Sequence, residues 1–166
     1  MGKNILVPID FSIESLNTLK KMMQESTGTF NIILLHGAYM STSITELLFY
    51  SKDKLIKELS NDEFNEAIHI LKNKYDSNIE SIRIDIFSGY NRAAFNNYVE
   101  ANAIDEVVVA TNFQYKFNNK KSFDWLPMAY KANVKIHELQ IHQEMIMPEK
   151  GQLAEIFYDK MAVGQK

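Results

Sequence analysis

Short runs of β-branched and aliphatic residues alternate with longer stretches of helical periodicity along most of this chain, and that alternation restricts its fold more than any other feature. Residues 4–8 are apolar almost without a break, as strands covered on both faces are. Behind them Ser12 stands as a helix N-cap, with Ile13, Leu16, Leu19, Met22 and Met23 at helical spacing. Residues 30–35 read as a second strand. Ile44, Leu47, Leu48, Leu55, Ile56 and Leu59 mark a helical excursion with ill-defined ends. Ser60 and Glu63 then have capping-box spacing, ahead of a helix carrying Phe64, Ala67, Ile68, Leu71 and Tyr75 on one face. Ile82, Ile84 and Ile86 alternate with Arg83, Asp85 and Phe87 as a third strand. A short helix at 93–101, a fourth strand at 106–110, a helix at 125–132 and a fifth strand at 134–141 complete the series. This order predicts an α/β fold with an open five-stranded parallel sheet and helices on both faces.

Residues 142–166 stand outside the alternation. Pro148 and Gly151 interrupt the chain, and Leu153, Ile156, Phe157 and Met161 recur at helical spacing beyond them. The expected organisation is one α/β domain over residues 3–141 and a C-terminal extension over 142–166 with a short amphipathic helix. That helix packs on its own domain or docks on a second subunit.

A chain of 166 residues, 46% hydrophobic and 23% charged, can bury a core unaided. It has no cysteine, which excludes disulfides and thiolate chemistry. A net charge of −3 provides no general attraction to nucleic acid or anionic membranes, and neither is expected as a partner. No apolar run is long enough for a secretory signal or a membrane span, so a cytoplasmic protein is expected.

The opening Lys3-Asn4-Ile5-Leu6-Val7-Pro8-Ile9-Asp10-Phe11-Ser12 resembles the first strand and turn of the universal stress protein family. The strand ends His36-Gly37 and Ser88-Gly89 are similar to that family's pattern, as is the stretch Ala103-Ile104-Asp105-Glu106-Val107-Val108-Val109-Ala110. The resemblance covers roughly residues 3–141. It implies a Rossmann-like sheet of the adenine nucleotide alpha hydrolase-like type, ordered 3-2-1-4-5. It also implies a ligand crevice at the carboxyl ends of strands one and four, where the winding reverses. Those ends bring in Pro8, Ile9, Asp10 and Ser12, with His36 from strand two, Ser88 and Gly89 from strand three, and Val109, Ala110, Thr111 and Asn112 from strand four.

Nucleotide-binding members carry a glycine, two residues, a second glycine, nine residues, then a third glycine followed by Ser or Thr. Glycine lets the backbone approach phosphate, and the N–H groups of the next helix meet the anion. Counted from the end of strand four, those positions fall on Ala110, Phe113, Phe123 and Asp124. No glycine is present. Asp124 sets a carboxylate at the helix start, which favours the helix by about 0.3–1 kcal/mol and repels phosphate. Moving the frame by two residues offers Ser122 as the hydroxyl and still no glycine.

Asp10 has two readings: turn chemistry and helix-start charge, or, as the resemblance implies, contact with the base or ribose of an adenine nucleotide. Ser12, His36 and Asp10 include the residue types of a catalytic triad, but sequence does not bring them within reach. His36, His69, His137 and His142 share no metal-ligand spacing, and no metal is expected. Residues 113–125 interleave five aromatics with three lysines, a mixture that stacks on single-stranded bases, fills a vacated crevice or forms a lid or contact surface.

The resemblance further implies a homodimer paired antiparallel through strand five, with Val134, Ile136, Leu139 and Ile141 as interface candidates. An unidentified protein partner is a further expectation. The chain has neither a His-x-Gly-His nor a Ser-Gly-Gly-x-Asp-Ser phosphate loop. The expectation is therefore a non-enzymatic stress-response or regulatory protein with a degenerate nucleotide site and no cofactor. The alternative is a module binding ATP or AMP in a remodelled crevice.

Overall fold

The computed structural model describes residues 2–141; His142 and the amphipathic pattern of the C-terminal extension lie outside the described residues. Six strands form one sheet: β1 (Lys3–Pro8), β2 (Phe30–Ala38), β3 (Ile79–Phe87), β4 (Glu106–Ala110), β5 (Ser122–Phe123) and β6 (Lys135–Leu139). The parallel strands lie in the order β3-β2-β1-β4-β6, so the fifth parallel strand takes the predicted edge place. The two-residue β5 is an addition, antiparallel to the end of β2.

Strand alternation divides two cores. Ile5 and Val7 of β1, Ile32 and Leu34 of β2 and Val108 of β4 point to one face, while Leu6, Ile33, Leu35, Val107 and Val109 point to the other. This two-sided burial explains the unbroken apolar runs. Leu6, Val7 and Leu34 are fully buried, each stabilising the fold by roughly 1.5–3 kcal/mol. The first face is covered by a 3-10 turn (Ile13–Leu16), α1 (Asn17–Glu25) and α4 (Asp62–Lys74), through residues such as Leu19, Met22, Phe64 and Leu71. The second is covered by α5 (Arg92–Ala101) and α6 (Leu126–Tyr130), with Phe95, Val99, Trp125 and Ala129 packed inward.

The predicted excursion is two helices, α2 (Ile44–Leu48) and α3 (Lys52–Leu59), capped by the hydroxyls of Ser43 and Ser51. Lys52 Nζ reaches Asp85 Oδ1 on β3 at 3.0 Å, and Tyr98 donates to the other carboxylate oxygen at 2.7 Å. Burial works to raise Asp85, but the bonds from Tyr98, Lys52 and its neighbour's N–H outweigh it and hold the carboxyl below its ordinary value.

The capping box expected at Ser60 is replaced. Ser60 N–H closes α3 on the Ile56 carbonyl, and Asn61 caps α4 by accepting from Phe64 N–H at 2.8 Å. Asn serves this position as well as Ser does, and Ser60 is already committed to ending the preceding helix.

Candidate functional site

The carboxyl ends of β1 and β2 are shaped by an uncommon backbone. Phe11 has φ +63°, a left-handed conformation that costs an L-residue about 1–2 kcal/mol. It turns the ring inward, edge-on to His36 at 4.9 Å and tilted against Phe64 at 5.3 Å. Asp10, just before it, forms an Asx turn in which Oδ1 accepts from both the N–H and the hydroxyl of Ser12. Ser12 in turn accepts from Ser15 N–H at 3.2 Å, as the predicted cap.

The other Asp10 oxygen, Oδ2, accepts from Lys116 N–H at 2.8 Å, across a sequence separation of 106 residues. This bond pins the loop between β4 and β5. Within that loop Phe113, Tyr115 and Phe117 are half-buried, while Gln114, Lys116 and Asn118 are exposed. The three rings form a ladder, with centroids 4.8 and 6.4 Å apart, that ends 5.8 Å from His36. Burial pushes the Tyr115 phenol well up. The aromatics of 113–125 therefore pack against one another and their own domain.

His36 is 2% exposed. Its Nδ1 lies 3.0 Å from the Ile9 carbonyl oxygen and its Nε2 2.7 Å from Ser122 Oγ. A carbonyl only accepts, so the neutral ring donates from Nδ1 and accepts the Ser122 proton at Nε2. Burial holds the imidazole below its ordinary value of 6.5, opposed by the Ile9 bond and the Asp10 charge. Ser12, His36 and Asp10 do not form a triad: Asp10 holds Ser12, and His36 is oriented by a backbone carbonyl.

Asp10, Ser12, His36 and Ser122 thus meet, as the sequence expectations placed them, in one cleft of about 490 Å³ with Lys116 and Asn61 on its walls. Glu58 lines it as well, so carboxylates outnumber cations there. Pro8, Ile9, Val109 and Ala110 are buried strand ends behind it. Three other candidates lie elsewhere. Thr111 bonds to the Leu139 carbonyl, and Asn112 exchanges two hydrogen bonds with Ile141, so both secure the β6 edge. Gly89 is wedged where a Cβ would meet Phe87 at 2.5 Å and Ala94 at 2.6 Å; its lack of a side chain serves packing.

The four positions of the absent phosphate motif have structural roles. Ala110 is a buried strand end, Phe113 belongs to the ring ladder, and Phe123 stacks under Tyr39 at 4.4 Å. Asp124 Oδ1 accepts from Leu126 N–H at 2.9 Å and so occupies the start of α6. Next to it Trp125 stacks on Phe95 and donates from Nε1 to the Leu35 carbonyl at 3.1 Å.

At the sheet edge β6 pairs only with β4 among the described residues. Val134 and Ile136 are half-buried, whereas Leu139 and Ile141 are buried within the chain itself. His137 Nδ1 lies 2.9 Å from the buried Glu106, which Lys135 also approaches at 3.7 Å. Among the described residues no set of three or more His, Asp and Glu converges to hold a metal ion, and no helix is long and apolar enough to cross a membrane.

Sequence reasoning missed Phe11, the Lys116 N–H, Asn61 and Glu58. Asn61 alone carries a local signal, as a preferred cap residue; Phe11 is a residue type seldom found at positive φ, and the Lys116 contact is a backbone group.

No protein-family model matches this chain, and no curated protein matches it by sequence. Solved structures match by shape. The chain is similar to the hypothetical protein PH0823, with a TM-score of 0.52 at 17% identity, over 86% of this chain and 99% of that one. It is similar to the hypothetical protein MJ0577, with a TM-score of 0.52 at 20% identity and the same coverage. Its likeness to universal stress protein UspA from Lactobacillus plantarum has a TM-score of 0.50 at 14% identity, over 83% of this chain and 97% of that one. The chain has the fold of the universal stress proteins. A fold shared at such identities leaves activity to be argued from the site.

Proposed function

We propose that this chain is a non-enzymatic stress-response or regulatory protein of the universal stress protein type, cytoplasmic and homodimeric, whose nucleotide crevice is occupied by its own residues. One observation carries the reading: both oxygens of Asp10 accept from the chain itself, from Ser12 and from Lys116 N–H. A ligand that used this carboxylate would compete with Ser12 and the loop for it. The ring ladder of Phe113, Tyr115 and Phe117 and the Asp124 carboxylate before α6 add bulk and negative charge where a phosphate requires space and donors. For the dimer, the support is the one-sided pairing of β6, an edge that a second copy completes by antiparallel addition.

Isothermal titration of the full chain with ATP and with AMP tests the reading. No saturable heat is expected with nucleotide up to about a hundred micromolar, and no nucleotide turnover. Micromolar binding would replace it with the second reading, an adenine-nucleotide module. That reading is favoured by the open cleft of about 490 Å³ beside Asp10, Ser12 and His36.

A further inference from the structure

Seven of the eight large apolar side chains left exposed among the described residues belong to residues 39–49 or to Tyr90, whose ring stacks on Tyr39 at 6.0 Å. Ile44, Leu48 and Phe49 are 77%, 76% and 75% exposed, and α2 buries none of its residues. Scattered exposed hydrophobics are ordinary, but a concentration on one segment marks an interaction surface. We propose that this face, built from α2 and the start of α3, is a two-fold interface with a second copy of this chain.

Two features of the face select that partner. The first is shape. Between α2, α3 and the end of β2 lies a hollow of about 320 Å³ walled by Tyr39, Leu47, Tyr50 and Leu55, with Phe49 at its lip. Ile44 and Leu48, one helical turn apart on α2, project beside the hollow without lining it. One patch thus carries both projections and a receptacle, the requirement for a surface that pairs with itself across a two-fold axis. A small ligand filling the hollow would leave Ile44 and Leu48 in water.

The second feature is charge. The hollow is lined by two lysines, Lys54 and Lys121, and two glutamates, Glu46 and Glu58. A membrane-binding face is dominated by basic residues, and this one is balanced. Lys121 and Glu46 pair only loosely within the chain, at 3.9 Å with both side chains more than half exposed. A two-fold operation sets Lys121 of one copy opposite Glu46 of the other without leaving either sign in excess. This face lies apart from β6, so the inference does not depend on the edge-strand dimer.

Sedimentation velocity of the full chain over a concentration series tests it, with Leu48→Glu, Glu46→Lys and Lys121→Glu compared against the unaltered protein. Leu48→Glu is expected to weaken one association step at least tenfold. The step lost is a monomer–dimer step if β6 does not pair, and the step beyond the dimer if it does, so the two interfaces are read separately. Glu46→Lys and Lys121→Glu should each weaken the same step several-fold alone and restore it when mixed. All three positions are exposed, so retained circular dichroism separates lost association from lost folding. Identical masses for Leu48→Glu and the unaltered chain at every concentration would overturn the proposal. So would charge variants that fail to recover on mixing, or binding to anionic vesicles that Leu48→Glu abolishes while leaving the mass unchanged.

Discussion

The crevice and the α2–α3 excursion lie at the same carboxyl edge of the sheet and meet their local requirements in opposite ways. In the crevice, Asp10, Ser12, His36 and Ser122 are hydrogen-bonded to one another or to the backbone, and three rings pack into a ladder that ends beside His36. In the excursion, polar caps are satisfied but Ile44, Leu48 and Phe49 face water. The first region contributes stability through bonds made within the chain; the second contributes little stability and leaves apolar surface uncovered. One edge of one sheet thus holds a region bonded within itself and a region whose apolar side chains find no cover among the described residues.

That contrast can be broken by substitution. Trp125→Ala removes a buried ring stacked on Phe95 and its bond to the Leu35 carbonyl, and should cost about 3–5 kcal/mol in urea denaturation. A loss under about 1 kcal/mol would mean that the core under α6 collapses freely around the vacated ring. Asp10→Ala orphans the Ser12 and Lys116 N–H groups and should cost about 1–3 kcal/mol without altering the calorimetric response to ATP. Unchanged stability together with a new nucleotide signal would show that Asp10 guards an open site.

A pH effect sharpens the same division. Burial holds His36 below 6.5, so just under that pH the unfolded chain binds more protons than the folded one. The contribution of the neutral ring is complete above 6.5 and is lost as the pH falls toward the folded value. The urea midpoint should drop between about pH 7.5 and 5.5, and His36→Gln should shrink that drop; an equal drop in the variant would assign it to other groups. The Asp85 carboxyl, held low, loses its contribution only on further acidification below its ordinary value of 3.8, which keeps the two windows apart. The smallest effect belongs to the excursion: Leu48→Glu should alter stability by no more than about 0.5 kcal/mol when measured under dilute conditions.

Much of this was legible in the sequence because the sheet imposes its own pattern. Ile5 and Val7 against Leu6, and Ile32 and Leu34 against Ile33 and Leu35, fill two cores from one strand, and only a strand covered on both sides needs that run. Asp10, Ser12, His36 and Ser122 were likewise nameable, since strand ends converge in a fold of this type. Which partner each would take was not. The His36–Ser122 bond spans 86 residues, and the Asp10–Lys116 bond uses a main-chain donor that no side chain advertises. A two-residue strand such as β5 is too short for any periodicity, and Asn61 took the cap because Ser60 closes α3 on the Ile56 carbonyl.

The small β5 has a mechanical meaning. Leaving β4 on one side of the winding reversal, the chain crosses over and fastens to β2 on the other, where Gly37 admits the Phe123 carbonyl to within 2.6 Å of a notional Cβ. It acts as a latch between the two halves of the sheet. The segment between β4 and α6 is thus moored at two points, on Asp10 through the Lys116 N–H and on β2 through Ser122 and Phe123.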